Sequence, residues 1–349
     1  MLSNLLKRLS FDLALDLGTA NTRLAIAGEG IVLDEPSIVA VEQTSGRVLG
    51  RGAAVGQLAK QLEGRTPQSI RVVRPVCGGA VADFDLCEAM LRRLIRKAKP
   101  PGFRLRPRVV VGLPGGATAV ERRALVNTLH RAGAGRVWLV RQSQAAALGA
   151  GLPLAEPVAS LVCDIGAGTT EVAAMSLGET VAAQSLRCGG DAMDQAIADW
   201  VRRQHGLRIG PPAAERLRLE AGSAMPLVPE PTAELSGVDV STGLPRKIAL
   251  GGGELREALA EPLLRVVEAV KTTIDGCRGE LAADLVDRGI VLCGGGALLP
   301  GLDRLLAEHT RLPVRLAAEP LTATIRGLLI CLERRDHWQP LLQSGDAEP

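Results

Sequence analysis

Tyrosine is missing from this chain altogether, and phenylalanine and tryptophan stand at three each. So few rings cannot build the stacking platforms that hold single-stranded nucleic acid. Neither sign of charge dominates. A formal net charge of +3 over 349 residues, with acids and bases interspersed, leaves no electrostatic footprint for a nucleic-acid partner. The seven cysteines, Cys77, Cys87, Cys163, Cys188, Cys277, Cys293 and Cys331, are odd in number and contain no C-x-x-C pair. Several sit inside apolar runs, which reads as buried, reduced thiols of a cytosolic protein and not as ligands or disulfides. The four histidines (His130, His205, His309 and His337) are scattered, lack metal-binding spacing and read as surface residues. No apolar run reaches the roughly 20 residues of a membrane span.

What the chain does have is one short pattern, used twice. Asp16-Leu17-Gly18-Thr19-Ala20-Asn21-Thr22 follows the apolar run from Phe11 to Leu15 and precedes the alternating Leu24-Ala25-Ile26-Ala27. Strand, tight turn and strand are implied, with an acid and a glycine at the bend. Gly18 lets backbone N–H groups approach a ligand, and Thr19, Asn21 and Thr22 add donors. Donors suit phosphate oxygens, and the Asp16 carboxylate suits a hydrated Mg²⁺ that bridges them. Alone, such a heptad also marks an ordinary hairpin turn. The second copy tips the balance: Asp164-Ile165-Gly166-Ala167-Gly168-Thr169-Thr170 follows Leu161-Val162-Cys163 and precedes Glu171-Val172-Ala173-Ala174-Met175. Internal similarity of this kind implies two related units, each offering a phosphate loop and an acid.

The remaining chain is an alternation of strands and helices, which indicates α/β units. Strand material from Ile31 to Val41 is broken at Glu35-Pro36. A turn is expected over Gly46–Gly52, and a helix from Ala53 to Leu62. Asp83 or Asp85 is placed to cap a helix from Leu86 to Lys97, ended by Pro100-Pro101-Gly102. A strand from Arg108 to Leu113, a helix from Val120 to Ala132, a strand from Val137 to Val140 and a helix opening at Gln144 follow. After the second heptad come helices over Asp191–His205, Ala213–Ala224 and Glu254–Cys277. The strand Ile290–Cys293 then runs into Gly294-Gly295-Gly296-Ala297, and a helix covers Leu302–His309. A glycine-rich turn at the end of an apolar strand is where an α/β fold receives a ligand. The polar tail after Arg334 reads as frayed. At the other end, Leu2, Leu5, Leu6 and Leu9 share one helical face, with Lys7 and Arg8 on the other. This segment is too short to span a bilayer and lacks the features of a signal peptide. It suits either the membrane interface or a groove of the protein itself.

The order of these pieces resembles the actin, sugar kinase and heat-shock chaperone ATPase superfamily, and within it the MreB family of bacterial actins. The distinctive stretches are Asp16 to Thr22, Gly64-Arg65-Thr66-Pro67, Ala82-Asp83-Phe84, Gly189-Gly190-Asp191, Glu220-Ala221-Gly222-Ser223-Ala224 and Gly289 to Leu299. The resemblance implies an actin-like α/β fold of two related domains flanking a nucleotide cleft. Domain I would be 1–152 plus 325–349, with a subdomain inserted at about 39–81. Domain II would be 153–324, with a subdomain inserted at about 191–253. It also implies ATP with Mg²⁺. Asp16 and Asp164 would stand near the metal. Gly18, Thr19, Ala20 and Asn21 would hold phosphates on one side, and Gly166, Ala167, Gly168 and Thr169 on the other. Glu215 and Arg218 match the family's Glu-x-x-Lys beside the nucleoside, and Gly294, Gly295, Gly296, Ala297 and Leu298 would flank the adenine. As to function, the resemblance implies a homopolymer of paired protofilaments on the inner face of the cytoplasmic membrane. That polymer would guide membrane-embedded cell-wall synthesis proteins and set rod shape. An N-terminal amphipathic segment also occurs in some relatives, which favours the membrane reading of Leu2, Leu5, Leu6 and Leu9.

Departures from the family pattern gather at the nucleotide positions. Arg141-Gln142-Ser143 stands where the family has Glu-Glu-Pro, so Gln142 takes the place of the acid that orients the attacking water. Ala167 replaces a glycine, Arg218 a lysine, and Gly115 a larger residue. The expectation is a slow Mg-dependent ATPase in which Gln142 and Thr169 place the water beside Asp164. The alternative is a divergent paralogue that binds nucleotide and polymerises with little or no hydrolysis. A small-molecule kinase of the same superfamily would need a pocket acid acting as base and extra insertions, and neither is seen.

Overall fold

The structure, a computed structural model, describes residues 11–100 and 106–346. Leu2, Leu5, Leu6 and Leu9, and the helix stop placed at Pro101-Gly102, lie outside the described residues. The chain divides into two compact units. One comprises Met1–Pro157, Leu177–Thr180 and Thr322–Pro349; the other comprises Val158–Ser176 and Val181–Leu321.

The first unit is built on the strands β1 (Asp12–Leu17), β2 (Asn21–Ile26), β3 (Gly30–Pro36), β8 (Arg108–Leu113), β9 (Arg136–Arg141) and β18 (Gln343–Ser344). They form one sheet in the order β18-β9-β8-β1-β2-β3. Strands β1, β2 and β3 run as an antiparallel meander, whereas β1, β8 and β9 are parallel. The parallel pairing follows from the helices that cross between these strands. Between β3 and β8 lie the short elements β4 (Val39–Glu42), α1 (Leu49–Gly52), α2 (Gln57–Lys60), β5 (Ile70–Val73), β6 (Val76–Cys77) and β7 (Ala80–Val81), then α3 (Phe84–Ala98). Helix α4 (Ala119–Ala132) joins β8 to β9, and α5 (Gln142–Gly149) follows β9.

The sequence explains these helices. Asp83 accepts a hydrogen bond from the Leu86 amide at 3.0 Å, capping α3 one turn earlier than its apolar stripe begins. That stripe (Leu86, Cys87, Met90, Leu91, Leu94, Ile95) is buried against the core of Leu13, Leu15, Val109, Val111 and Leu129. Thr118 and Glu121 form a reciprocal capping box at α4. The helix expected over Ala53–Leu62 shrinks to the four residues of α2, because Gly56 takes a positive φ of 66° and Val55 bridges Val39 instead. The turn expected over Gly46–Gly52 contains the four-residue helix α1.

The second unit repeats the plan. Its strands are β10 (Ser160–Ile165), β11 (Thr170–Ser176), β12 (Glu179–Leu186), β16 (Ile290–Cys293) and β17 (Val314–Leu316), in the order β12-β11-β10-β16-β17. A central strand again pairs antiparallel with the strand after it and parallel with a strand far along the chain. Helices α6 (Gly190–His205), α7 (Pro211–Ala221), α8 (Gly252–Asp275), α9 (Glu280–Arg288) and α10 (Leu302–Thr310) belong here. So does a small sheet of β13 (Leu207–Arg208), β14 (Thr232–Asp239) and β15 (Pro245–Gly251). Met193, Ile197 and Val201 of α6, Leu217 of α7, and Leu259, Val266 and Val270 of α8 share one buried core with Leu161, Cys163 and Leu292 of the sheet.

Two features of the first unit depart from the sequence reading. The tail is not frayed up to residue 346. Gln343 and Ser344 pair with Leu139 and Trp138, the Gly345 amide donates to the Val137 carbonyl at 2.9 Å, and Leu341 is buried. Arg122 donates to the Gln343 side chain at 3.0 Å and to the Ser344 carbonyl at 3.1 Å. A two-residue strand carries no period, so only its partners reveal it. The second feature is the crossing of α5 with α11 (Ala323–Glu333). A Cβ on Gly149 would overlap the Ala323 carbonyl, and one on Gly327 would lie 2.9 Å from Ala145 Cα and closer still to its carbonyl. The two helices therefore touch backbone to backbone. Gly327→Ala should destabilise the protein by about 2–3 kcal/mol, read as a lower urea midpoint with unchanged m; an unaltered midpoint would show that the helices can separate freely.

Candidate functional site

In the first hairpin the paired residues Leu17 and Thr22 close a four-residue loop. Inside it the Gly18 amide donates to the Asn21 carbonyl at 3.1 Å. A Cβ on Gly18 would sit 2.8 Å from that same oxygen, so the turn is restricted to glycine. The amides of Thr19 and Ala20 have no acceptor among the described residues. A loop with outward N–H groups at the end of a buried strand is suited to an anion.

Three groups from elsewhere hold this loop. Ser37, buried just after the Glu35-Pro36 break, is the main one. Its hydroxyl donates to the Gly18 carbonyl at 2.6 Å and lies 2.8 Å from the Thr22 hydroxyl, and its amide donates to the Ala20 carbonyl at 2.8 Å. The Gly79 amide donates to the Thr19 hydroxyl at 3.3 Å. Asp34 accepts from the Asn21 carboxamide at 2.6 Å and from Arg23 at 3.0 Å. Arg23 also stands 3.6 Å from Asp16. Sequence reasoning missed Ser37, Asp34 and Arg23. Arg23 carried a readable signal, being the one charge in β2, just before the apolar Leu24-Ala25-Ile26, and directly across from Asp16 in a hairpin with a four-residue loop.

The second hairpin has the same backbone. The Gly166 amide donates to the Thr169 carbonyl at 2.8 Å, and the amides of Ala167 and Gly168 have no acceptor among the described residues. Here the support comes from α6. The Gly190 amide donates to the Gly166 carbonyl at 3.0 Å, and the Asp191 amide to the Ala167 carbonyl at 2.8 Å. The loop thereby satisfies two of the orphan donors that every helix N-terminus presents. A Cβ on Gly189 would lie 2.7 Å from the Ala167 oxygen and would overlap that of Gly166, which gives Gly189-Gly190-Asp191 a physical reason. The Thr170 hydroxyl donates to the Cys188 carbonyl at 2.6 Å.

The glycine triplet packs on the same strand end. Gly294 has φ +82°, its amide donates to the Pro320 carbonyl at 2.8 Å, and a Cβ there would meet Asp164 Oδ1 at 2.6 Å. Gly296, Ala297 and Leu298 form a single 3₁₀ turn, in which Leu298 is exposed. Leu321 lies over Gly295, 3.5 Å from where its Cβ would be. Glu215 and Arg218 sit one turn apart on α7, both half-buried. Arg218 is engaged by Asp194 of α6, at 2.6 Å and 3.3 Å. Asp194 is a residue sequence reasoning did not single out; burial raises its carboxyl above the usual range while Arg218 opposes the shift. Gln142, in the first unit, is the first residue of α5, half-buried beside Gly112, with Arg141 exposed before it.

The donor set fits a metal-bound polyphosphate better than a free-standing metal site. Among the described residues no three His, Cys, Asp or Glu side chains gather to hold an ion. Mg²⁺ is commonly held by one or two carboxylates together with substrate phosphates and water, and each loop brings one buried aspartate. The neighbouring thiols Cys163 and Cys293 are pushed well up by burial, which removes them as nucleophiles.

Burial lifts the Asp16 carboxyl from its ordinary 3.8 to about 6; Arg23 opposes the shift and the Asp34 charge adds to it. The folded chain therefore keeps a proton at Asp16 that the unfolded chain has released, and this carboxyl's contribution to stability falls as pH rises from about 4 to about 6. Asp16→Asn has no such titration. Without nucleotide, its stability relative to the parent should rise by up to about 3 kcal/mol across that window, measured by urea unfolding at each pH. Parallel pH profiles for the two proteins would contradict the burial of this group.

Comparison with known proteins places this geometry. A family model described as MreB/Mbl protein matches residues 10–340. The cell shape-determining protein MreB of Escherichia coli K12 is 48% identical over 319 residues, covering 91% of this chain and 92% of its own. MreB5 of Spiroplasma citri bound to AMPPNP is similar in structure, with a TM-score of 0.88 at 30% identity over 94% of this chain and 97% of that one. Its ADP-bound structure gives 0.87 at the same identity, over 95% and 98% of the two chains. The MamK double helical filament shares the fold alone, with a TM-score of 0.78 at 18% identity over 93% and 99% of the chains. The plan met twice here, a hairpin of phosphate-loop type leading into parallel strands, is thus the actin-like fold, and the chain belongs to the MreB/Mbl family of cell shape-determining proteins.

Proposed function

We propose that this chain binds ATP with Mg²⁺ through its two loops, polymerises, and acts on the inner face of the cytoplasmic membrane as a scaffold for cell-wall synthesis. The observation that carries nucleotide binding is the shared geometry of the loops. Each has a glycine amide closing the turn, two amides without an acceptor among the described residues, and a buried aspartate at the strand end. The ligands of the two Spiroplasma structures support the same reading. Bound Mg²⁺ supplies charge neutralisation at the phosphate oxygens. The chain's own part is to hold those oxygens on the Thr19, Ala20, Ala167 and Gly168 amides, with Gly18, Asn21, Gly166 and Thr169 shaping the turns. Asp16 and Asp164 would hold the metal, Glu215 and Arg218 the nucleoside, and Gly294 to Leu298 the base.

Polymerisation through repeated, non-closing contacts gives open filaments. The filament state of MamK supports this only as a property of the fold. Among the described residues no helix is long and apolar enough to cross a membrane. Membrane attachment is therefore assigned to Leu2, Leu5, Leu6 and Leu9, multiplied along a filament by avidity. Electron microscopy of the purified chain with Mg-ATP on anionic vesicles should show paired filaments on the lipid. Deletion of residues 1–9 should leave filaments in solution but strip them from vesicles. Absence of polymer at every protein concentration would refute the scaffold reading.

Hydrolysis is assigned to Gln142 and Thr169 as water-positioning groups beside Asp164. A carboxamide donates and accepts hydrogen bonds but takes no proton, so turnover is slow. Glutamine alone orients water in other nucleotide hydrolases. Gln142→Glu should raise phosphate release and Gln142→Ala should lower it under polymerising conditions. Identical rates in all three proteins would favour the second reading, a nucleotide-binding polymer with little or no hydrolysis.

A further inference from the structure

The direction of a backbone N–H is fixed by whatever holds the carbonyl of the same peptide. A trans peptide is planar, so its C=O and N–H leave it in opposite directions. In loop two the Gly166 carbonyl shares a peptide with the Ala167 amide and accepts from the Gly190 amide at 3.0 Å. The Ala167 carbonyl shares one with the Gly168 amide and accepts from the Asp191 amide at 2.8 Å. Both amides that lack an acceptor there are thus aimed by main-chain donors of α6. In loop one the Gly18 carbonyl shares a peptide with the Thr19 amide, and the donor that holds it is a side chain, the Ser37 hydroxyl at 2.6 Å. A hydroxyl has a single proton to give. Ser37 gives its proton to Gly18, so the Thr22 hydroxyl, 2.8 Å away, donates to Ser37. Ser37 is 1% exposed and Thr22 is fully buried, so this pair is sealed from solvent.

Ser37 is itself held from both sides. Its amide donates to the Ala20 carbonyl at 2.8 Å, and the residue before it is Pro36, whose ring fixes φ. Before Pro36 stands Glu35. One of its carboxylate oxygens accepts from the Gln57 amide at 2.7 Å, and the other pairs with Lys97 of α3. We infer that Ser37 is a positioning residue for phosphate binding, which aims the Thr19 amide, and that Glu35 anchors the Glu35-Pro36-Ser37 bracket carrying it. The inference rests on the nucleotide-binding reading above. In loop two no side-chain change short of proline removes the donors that aim the amides. Loop one depends on one oxygen atom. Without that oxygen the turn persists, because the Gly18 amide still donates to the Asn21 carbonyl at 3.1 Å. The Gly18–Thr19 peptide plane, however, loses its support. The Thr19 N–H then has to be ordered when the ligand arrives, and that cost appears as lost affinity.

The test is equilibrium binding of a fluorescent ATP analogue with Mg²⁺ to the full chain below its polymerising concentration, joined to hydrogen exchange at saturating Mg-ATP. Ser37→Ala should bind about tenfold more weakly than the parent. At saturation its Leu17–Thr22 peptide should gain less protection from nucleotide than the parent's, while Asp164–Thr170 gains the full amount. Leu129→Ala truncates a core side chain of the same unit and should lower the unfolding midpoint while keeping parental affinity. Parental affinity and parental loop-one protection in folded Ser37→Ala overturn the proposal. So does an equal affinity loss in Leu129→Ala, which would make the effect one of general destabilisation. Should Ser37→Ala not fold, Glu35→Ala carries the test: a loss of about threefold is expected, and parental affinity overturns the proposal. A parent that binds no nucleotide even with Mg²⁺ removes the nucleotide reading and this inference together, and that result needs no variant.

Discussion

Loop carbonyls held by hydrogen-bond donors from outside the turn are the constraint on which both loops depend. At loop two the carbonyls of Gly166 and Ala167 accept from the first amides of α6, and Gly189 has no room for a Cβ. The Gly294–Gly296 turn lies on the end of β10 at the same short range. At loop one the corresponding support is a side chain, Ser37, which ties Gly18, Ala20 and Thr22 together. Spending the loop carbonyls on support leaves the amides of Thr19, Ala20, Ala167 and Gly168 as the groups turned away from the protein's own hydrogen bonding. An array of N–H groups fixed before the ligand arrives binds anions without an ordering cost at that moment.

The electrostatics of the two loops are less alike than their backbones. Asp16 is buried with a cation and a second carboxylate at hand, and the balance of burial over attraction keeps its proton affinity high. Arg218 is likewise committed to Asp194. At both positions an arginine is already in an ion pair before any ligand binds. Such pairs hold the local geometry, and removal of either partner would leave a poorly solvated charge.

Much of this was legible in the sequence because the chain states its plan twice. The heptads at Asp16 and Asp164, each flanked by apolar strands, indicated the two hairpins, and the structure places both turns between paired strands. Helices α3, α4, α6, α7, α8 and α10 were found within a few residues, whereas α9 and α11 were not. What escaped were features whose cause lies elsewhere in the chain. Ser37 is an unremarkable serine until Gly18 is folded against it, and β18 exists only because β9 offers an edge. The expected helix at Ala53–Leu62 failed because the pairing of Val55 with Val39 outweighed local propensity. The glycines were visible as punctuation, but Gly149 and Gly327 act through a helix crossing that no local pattern announces.

The central claim is that both loops present fixed amides to one kind of ligand, and hydrogen exchange reads those amides directly. Full-length protein below its polymerising concentration would be followed by exchange and mass spectrometry with and without Mg-ATP. Peptides spanning Leu17–Thr22 and Asp164–Thr170 should both slow markedly on nucleotide addition, while the core of β8 and β16 stays unchanged. Slowing in only one of the two loops, or in neither, would contradict the account.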